Sequence, residues 1–140
     1  MKKKLSIVIP IFNENNSILT LAKQINKNLK SIQYELIFVD DKSSDNSIST
    51  LKSLKKKNKR IFFYIHKGSR DLTKSCFLGI RKSKFPQVLI MDGDLQHNPI
   101  YILRMLKILN SKKLDLVIGT RNFNKRENKS ISAIRLLASK

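Results

Sequence analysis

Five short apolar runs, at 5–12, 34–39, 60–65, 87–91 and 114–119, alternate with stretches whose apolar residues recur at helical spacing. The run Leu5-Ser-Ile-Val-Ile-Pro-Ile-Phe12 is too continuously apolar for a strand wet on one side. It fits one buried on both faces. Helix stripes follow at Ile18, Ala22, Ile25 and Leu29, at Ile48, Leu51 and Leu54, at Leu72, Cys76 and Ile80, and at Ile102, Met105, Leu106 and Leu109. Strands alternating with helices predict an α/β fold: an open, mostly parallel sheet with right-handed crossovers and helices on both faces. Pro10 belongs near the end of the first strand, because proline cannot donate to a ladder. Asn98-Pro99 reads as a cap with proline at the first helical position. Ser130 or Ser132 starts a last short helix through Ile134 and Leu137. Residues 1–140 are expected to form one domain, without internal repeats.

In such sheets ligands bind outside the carboxyl ends of the strands. The chain carries a formal charge of +19, yet it places Glu14, Asp40, Asp41, Asp45, Asp92 and Asp94 just beyond three of its apolar runs. In Leu89-Ile-Met-Asp-Gly-Asp-Leu-Gln-His-Asn-Pro99, Asp92 and Asp94 are one residue apart, with Gln96 two further on. Oxygen ligands at that spacing suit magnesium or manganese holding a diphosphate, and Gly93 permits a sharp turn between them. The plainer reading is an Asp-Gly turn after a strand.

Asp40 and Asp41 close the second run, where a carboxylate can accept from a ribose hydroxyl or a nucleobase N–H. Ser43, Ser44 and Asp45 compete as helix caps. At the end of the first run, Phe12 could lie against a base or ribose and Glu14 could accept from either. Neither Gly-x-Gly-x-x-Gly nor Gly-x-x-x-x-Gly-Lys occurs, so a metal must do the work of a phosphate-gripping loop. Arg121 follows the fifth run and could clamp a phosphate together with Arg135 and Ser139. Arg126 reads as solvated. His66 and His97 read as polar surface residues without partners, and Cys76 as core packing.

Composition narrows the classes. No apolar run approaches the roughly 18 residues of a membrane-spanning helix. A lone cysteine argues against a disulfide framework and fits a reducing compartment. The lysines carry no interleaved aromatics of the kind a single-strand nucleic-acid platform uses. Acids on the expected binding edge would also repel a phosphate backbone, so no nucleic-acid partner is expected. A basic nucleic-acid-binding module therefore ranks behind the other readings.

Together, Ile7-Val-Ile-Pro-Ile-Phe-Asn-Glu14, Phe38-Val-Asp-Asp-Lys-Ser-Ser-Asp45, Met91-Asp-Gly-Asp-Leu-Gln-His-Asn-Pro99 and Gly119-Thr-Arg-Asn-Phe123 resemble the family 2 glycosyltransferases of GT-A fold, specifically the polyprenyl- and dolichyl-phosphate sugar synthases. The resemblance implies a GDP- or UDP-linked sugar as donor. Pro10, Phe12, Glu14, Asp40 and Asp41 would line the nucleoside pocket, and Asp92, Asp94 and Gln96 would bind the metal, with Asp94 and Arg121 as catalytic residues. Arg121, Arg135 and Ser139 would hold the acceptor phosphate. The family carries a small residue early in the third helix, where this chain has Arg70-Asp71-Leu72. Its catalytic domain also runs past position 140, so the chain reads as C-terminally shortened. A non-catalytic nucleotide-binding remnant of the same fold is the alternative.

The acceptor is legible from residue types. Inverting transfer to a sugar hydroxyl needs a general base. Beyond Asp115 the only carboxylate is Glu127. A polyprenyl phosphate is already anionic and needs cationic positioning instead, which Arg121 and Arg135 would supply. That acceptor and the net charge together predict a cytoplasmic chain in peripheral contact with a membrane.

Overall fold

The computed structural model describes residues 3–120. Four strands, β1 (Lys4–Ile11), β2 (Gln33–Asp40), β3 (Ile61–Ile65) and β4 (Val88–Ile90), form a wholly parallel sheet in the order β3-β2-β1-β4. Helices α1 (Asn15–Asn28), α2 (Ser47–Lys57) and α3 (Leu72–Lys82) fill the connections. A single 3-10 turn (Pro99–Tyr101) leads into α4 (Ile102–Ser111). Among the described residues, 3–103 form one compact unit and 104–120 belong to a second; the sheet, α1–α3 and the acid loop all lie in the first.

The chain steps from β1 to β2 to β3 in one direction, then returns past both to β4. Right-handed connections therefore set α1 and α2 on one face of the sheet and α3 on the other. Side-chain alternation agrees. Val8, Ile37 and Val39 form the cluster beneath α3, with Tyr64 and Leu78 packed against it. Ile7, Ile9, Leu36 and Phe38 point the other way and are at most 1% exposed, as are Ile18, Leu21 and Ile25 of α1 and Leu51 of α2. A Cβ on Gly79 would overlap Val8 Cγ1 and lie 3.2 Å from Val39 Cγ2. Glycine at that position lets α3 seat directly on β1 and β2.

The reversal of strand order falls between β1 and β4, and Pro10 opens a crevice there. Ser6 N–H donates to Gln87 O at 2.9 Å and Met91 N–H to Val8 O at 3.1 Å. The next rung of this parallel ladder would need an N–H from residue 10, which proline lacks. Pairing of β1 with β4 accordingly stops at Val8↔Ile90, while pairing with β2 runs on to Ile11↔Asp40. At the opposite end of the strands, buried Glu35 takes Ser6 Oγ–H at 2.7 Å and Lys84 N–H at 2.7 Å, and Phe85 N–H donates to Ser6 Oγ at 3.1 Å. This network ties the α3–β4 connection to the start of the sheet.

Two expectations are corrected. Residues 114–119 are not a strand. Leu116 and Ile118 are 71% and 72% exposed, and Leu114 N–H is spent on Leu109 O at the end of α4. Apolar alternation states a preference that only a neighbouring ladder can realise, and among the described residues no strand pairs with this segment. The fourth strand is also shorter than 87–91, covering three residues. The expected last helix at 130–137 lies outside the described residues.

Candidate functional site

Four loops leave the carboxyl edge of the sheet, and the sequence interlaces them. Normally a helix start is satisfied by its own capping residue. Here the first amides of α1 are met from the loop that enters α2. Asn13 N–H donates to Ser43 Oγ at 2.9 Å, Glu14 N–H to Ser47 Oγ at 3.1 Å and Asn15 N–H to Asp45 Oδ2 at 3.0 Å. In return Asn13 Oδ1 accepts Ser44 N–H at 2.8 Å. Asn13 and Lys42 take φ of 55° and 66° to make these turns. Burial raises the Asp45 pKa, but the hydrogen bonds from Ser47 and Asn15 outweigh it and hold the carboxyl below its ordinary value. The expected capping role of Ser43, Ser44 and Asp45 is thus real, and it acts mostly between loops.

The acids at the end of β2 face inward. Asp40 is fully buried; its Oδ2 accepts Ser43 N–H at 3.1 Å, and its Oδ1 is buried without a hydrogen-bond partner. Asp41 is 7% exposed and has both oxygens engaged: Oδ1 lies 2.9 Å from His66 Nδ1, and Oδ2 accepts Asp71 N–H at 2.9 Å. Asp41 therefore binds the exits of β2 and β3 to the start of α3. His66, expected at the surface without a partner, is buried at 8% exposure against this carboxylate. The register carries the reason: Asp40 pairs with Ile65, so the next residues on two parallel strands meet.

Asp92, Gly93 and Asp94 emerge on the β4 side of the crevice. Gly93 is buried: a Cβ there would lie 2.8 Å from Ile11 Cγ2, 3.5 Å from Ile9 Cγ2 and 3.7 Å from Glu14 Cγ. Its function is close approach. The sharp turn expected at Gly93 is taken instead by Leu95, with φ 63°. The glycine presses the acid loop onto the end of β1 and brings it beside Glu14, whose Oε2 accepts Ser17 Oγ–H at 2.7 Å. Asp94 is half-buried, with Oδ1 accepting Gln96 N–H at 3.0 Å.

The Asp92 side chain is 53% exposed and 3.6 Å from His97 Nδ1, beyond hydrogen-bond reach but within ion-pair range when the imidazole is charged. His97, like His66, thus has an aspartate neighbour that sequence alone did not reveal. Cys76 is half-buried rather than core; burial, then the charge of Asp92, pushes its thiol pKa up.

Phe12 is half-buried beside this crevice, and the Arg70 guanidinium carbon stands 3.4 Å from its ring centroid. That is a close cation–π stack. A base or ribose laid on that face of Phe12 would have to displace Arg70. Arg121, Arg135 and Ser139 lie outside the described residues.

Among the described residues no three His, Cys, Asp or Glu side chains converge as a closed metal cage. The oxygen donors of Asp92 and Asp94 nonetheless fit magnesium or manganese. Such ions bind through one or two carboxylates and complete their shell with substrate phosphates and water.

A parallel α/β sheet, a crevice opened by proline at the reversal of strand order and an acid pair beside it fit the GT-A fold. The family model of glycosyl transferase family 2 matches residues 6–137, and the chain belongs to that family. It is 30% identical over 122 residues to a dolichol-phosphate mannosyltransferase of Mycosarcoma maydis, covering 83% of this chain and 41% of the relative. It is 32% identical over 140 residues to an undecaprenyl-phosphate 4-deoxy-4-formamido-L-arabinose transferase of Proteus mirabilis, covering 98% and 41%. The fold matches a mannosyltransferase of Pyrobaculum calidifontis in complex with GDP-Man and Mn2+, with TM-score 0.65 and 18% identity over 75% of this chain and 32% of that one. The chain thus spans less than half the length of these relatives.

Proposed function

We propose that this chain is the donor-binding domain of a metal-dependent inverting glycosyltransferase that moves a sugar from a GDP- or UDP-linked donor to a polyprenyl phosphate. One observation carries the reading: Gly93 packs on Ile11 and Glu14, which sets Asp92 and Asp94 at the crevice between β1 and β4. Open sheets of this kind take their ligands at such a crevice. Pro10, Phe12 and Glu14 border the nucleoside on the β1 side. Asp40 and Asp41 line it from β2, with Asp41 held by His66 and the Asp71 amide. Asp92, Asp94 and Gln96 would hold a magnesium or manganese ion, which supplies positive charge where the diphosphate leaves.

The chain's own residues perform the rest. The crevice fixes the anomeric carbon relative to the acceptor, and Arg121, Arg135 and Ser139 position the acceptor phosphate. That phosphate attacks as an anion, so inversion by direct displacement requires no base. A membrane-borne acceptor brings the domain to a membrane as a peripheral protein on the cytoplasmic side. No helix among the described residues is long and apolar enough to cross one.

The test is a thermal-shift series with GDP- and UDP-sugars, with and without manganese, followed by an assay for nucleoside diphosphate release in the presence of a polyprenyl phosphate. Donor stabilisation that needs the metal, with release, supports the reading. Stabilisation without release identifies the domain as a nucleotide-binding remnant. No stabilisation by any sugar nucleotide refutes both.

A further inference from the structure

Between α3 and the β3 edge of the sheet, away from the β1–β4 crevice, lies a groove of about 620 Å3 that no donor residue lines. Its apolar wall is Ile65, Phe77 and Leu78, and its rim is Lys67, Lys74 and Arg81. Two features resist an explanation by folding. Phe77 is 57% exposed and Ile65 48% exposed, although both are large and apolar. On α3 the core-facing residues are Ser75 and Gly79, which places Phe77 on the solvent side of the helix. Lys74 and Arg81 stand three before and four after it, so they share its stripe. Leu72 and Ile80 add further exposed apolar surface to the same helix, at 60% and 37%.

No acidic side chain lines the groove among the described residues. Asp71, which caps α3, accepts Lys74 N–H at 3.0 Å and lies 3.5 Å from Lys74 Nζ, outside the groove lining. His66, which also lines it, turns its Nδ1 to Asp41. The surface is therefore apolar at its centre and cationic around it. An anionic lipid bilayer is its complement: acyl chains accept Phe77 and Ile65 while headgroups pair with the cations. An acidic polymer would satisfy Lys67, Lys74 and Arg81 but would leave the aliphatic surface in water.

We infer that the α3 groove, with Phe77 as its apolar anchor and Lys67, Lys74 and Arg81 as its charged rim, is the surface by which this domain docks on an anionic membrane. Lys67 lies in the loop from β3 to α3 and Lys74 in the first turn of α3, and in a parallel sheet that loop leaves the same edge as the acid pair. Docking there holds the donor edge near the bilayer. This inference deepens the peripheral-membrane part of the proposed function, yet its test uses neither donor nor turnover, so the two can fail separately.

The experiment is co-sedimentation of the full chain with phosphatidylcholine vesicles and with vesicles containing about one-third phosphatidylglycerol. The wild type sediments with the anionic vesicles only, and the binding weakens with salt. Lys74→Ala and Arg81→Ala each lower the partition coefficient about five-fold, and Phe77→Ser lowers it about ten-fold. All three positions are exposed, and circular dichroism with an unchanged thermal midpoint confirms folding. The triple variant Lys55→Ala, Lys56→Ala, Lys57→Ala at the end of α2 serves as the charge control. An equal loss there, with Phe77→Ser like wild type, would overturn the groove in favour of net charge alone. Failure of the wild type to bind anionic vesicles while it binds RNA through Lys74 and Arg81 would overturn it in favour of a polyanion surface.

Discussion

The two sides of the β1–β4 crevice are built to different standards. On one side β1 and β2 pair over eight residues each, and Ile7, Ile9, Leu36 and Phe38 are almost wholly excluded from water. On the other, β4 pairs over three residues, and its Val88 and Ile90 are 38% and 46% exposed. These two side chains sit in register with Ser6 and Val8, on the α3 face, where α3 itself lies over β1 and β2. The β2 side of the crevice is thus a product of core packing. The β4 side is held by a few rungs and by the contact of one glycine with β1. Stability and site placement have separate sources, and mutations should separate them.

The largest effect on stability is expected on the β2 side. Phe38→Ala removes a fully buried aromatic ring and should cost about 3–5 kcal/mol in urea unfolding. Ile90→Ala, on a side chain already half in water, should cost about 1 kcal/mol or less. Equal losses would break the comparison. Gly79→Ala comes next. Its Cβ meets Val8 and Val39, both in the core, and the overpacking should cost about 1–3 kcal/mol despite the helix-favouring methyl. A stabilised variant would mean that α3 sits more loosely on β1 and β2 than the structure has it.

The smallest expected effect is at the interlaced loops. Asp45→Ala removes acceptors for the Asn15 and Ser47 amides and should cost about 1 kcal/mol at neutral pH. The folded carboxyl titrates below its ordinary value near 3.8, so its contribution is present above that pH and is lost as pH falls through the lower folded value. Wild type and variant should therefore converge in strong acid. A difference that persists at the acid end, measured by denaturant titration across pH, would contradict the assignment.

Much of this was legible in the sequence, for identifiable reasons. Continuous β-branched runs and helical stripes report burial directly, so β1–β3 and α1–α4 fall close to where the pattern places them. Pro10 and the acids mark the carboxyl edge because a proline without an N–H and charges without partners have few other places to go. Three of the features that were not legible show why. Segment 114–119 has a strand's pattern, but a strand also needs a neighbour, and pattern does not supply one. The engagement of Asp41 by His66 depends on strand register. Register would have revealed it once β2 and β3 were aligned as parallel neighbours. Arg70 stacks on Phe12 across 58 positions of sequence; residue type alone did not pair them.

Gly93 sharpens the lesson. As a turn glycine it would be replaceable by a residue that tolerates positive φ. As a close-contact glycine it is not, because any Cβ meets Ile11 Cγ2 at 2.8 Å. The weakly paired wall depends on that contact to hold the acids at the crevice.

The most direct measurement is calorimetric titration of sugar nucleotide into wild type and into Asp94→Asn, each with and without manganese. Wild type is expected to bind a GDP- or UDP-sugar only with the metal. Asp94→Asn is expected to lose at least about ten-fold of that affinity while its thermal midpoint without ligand is unchanged. Metal-independent binding of equal strength in both proteins would contradict the claim that the acids of the β4 loop hold the donor through a divalent ion.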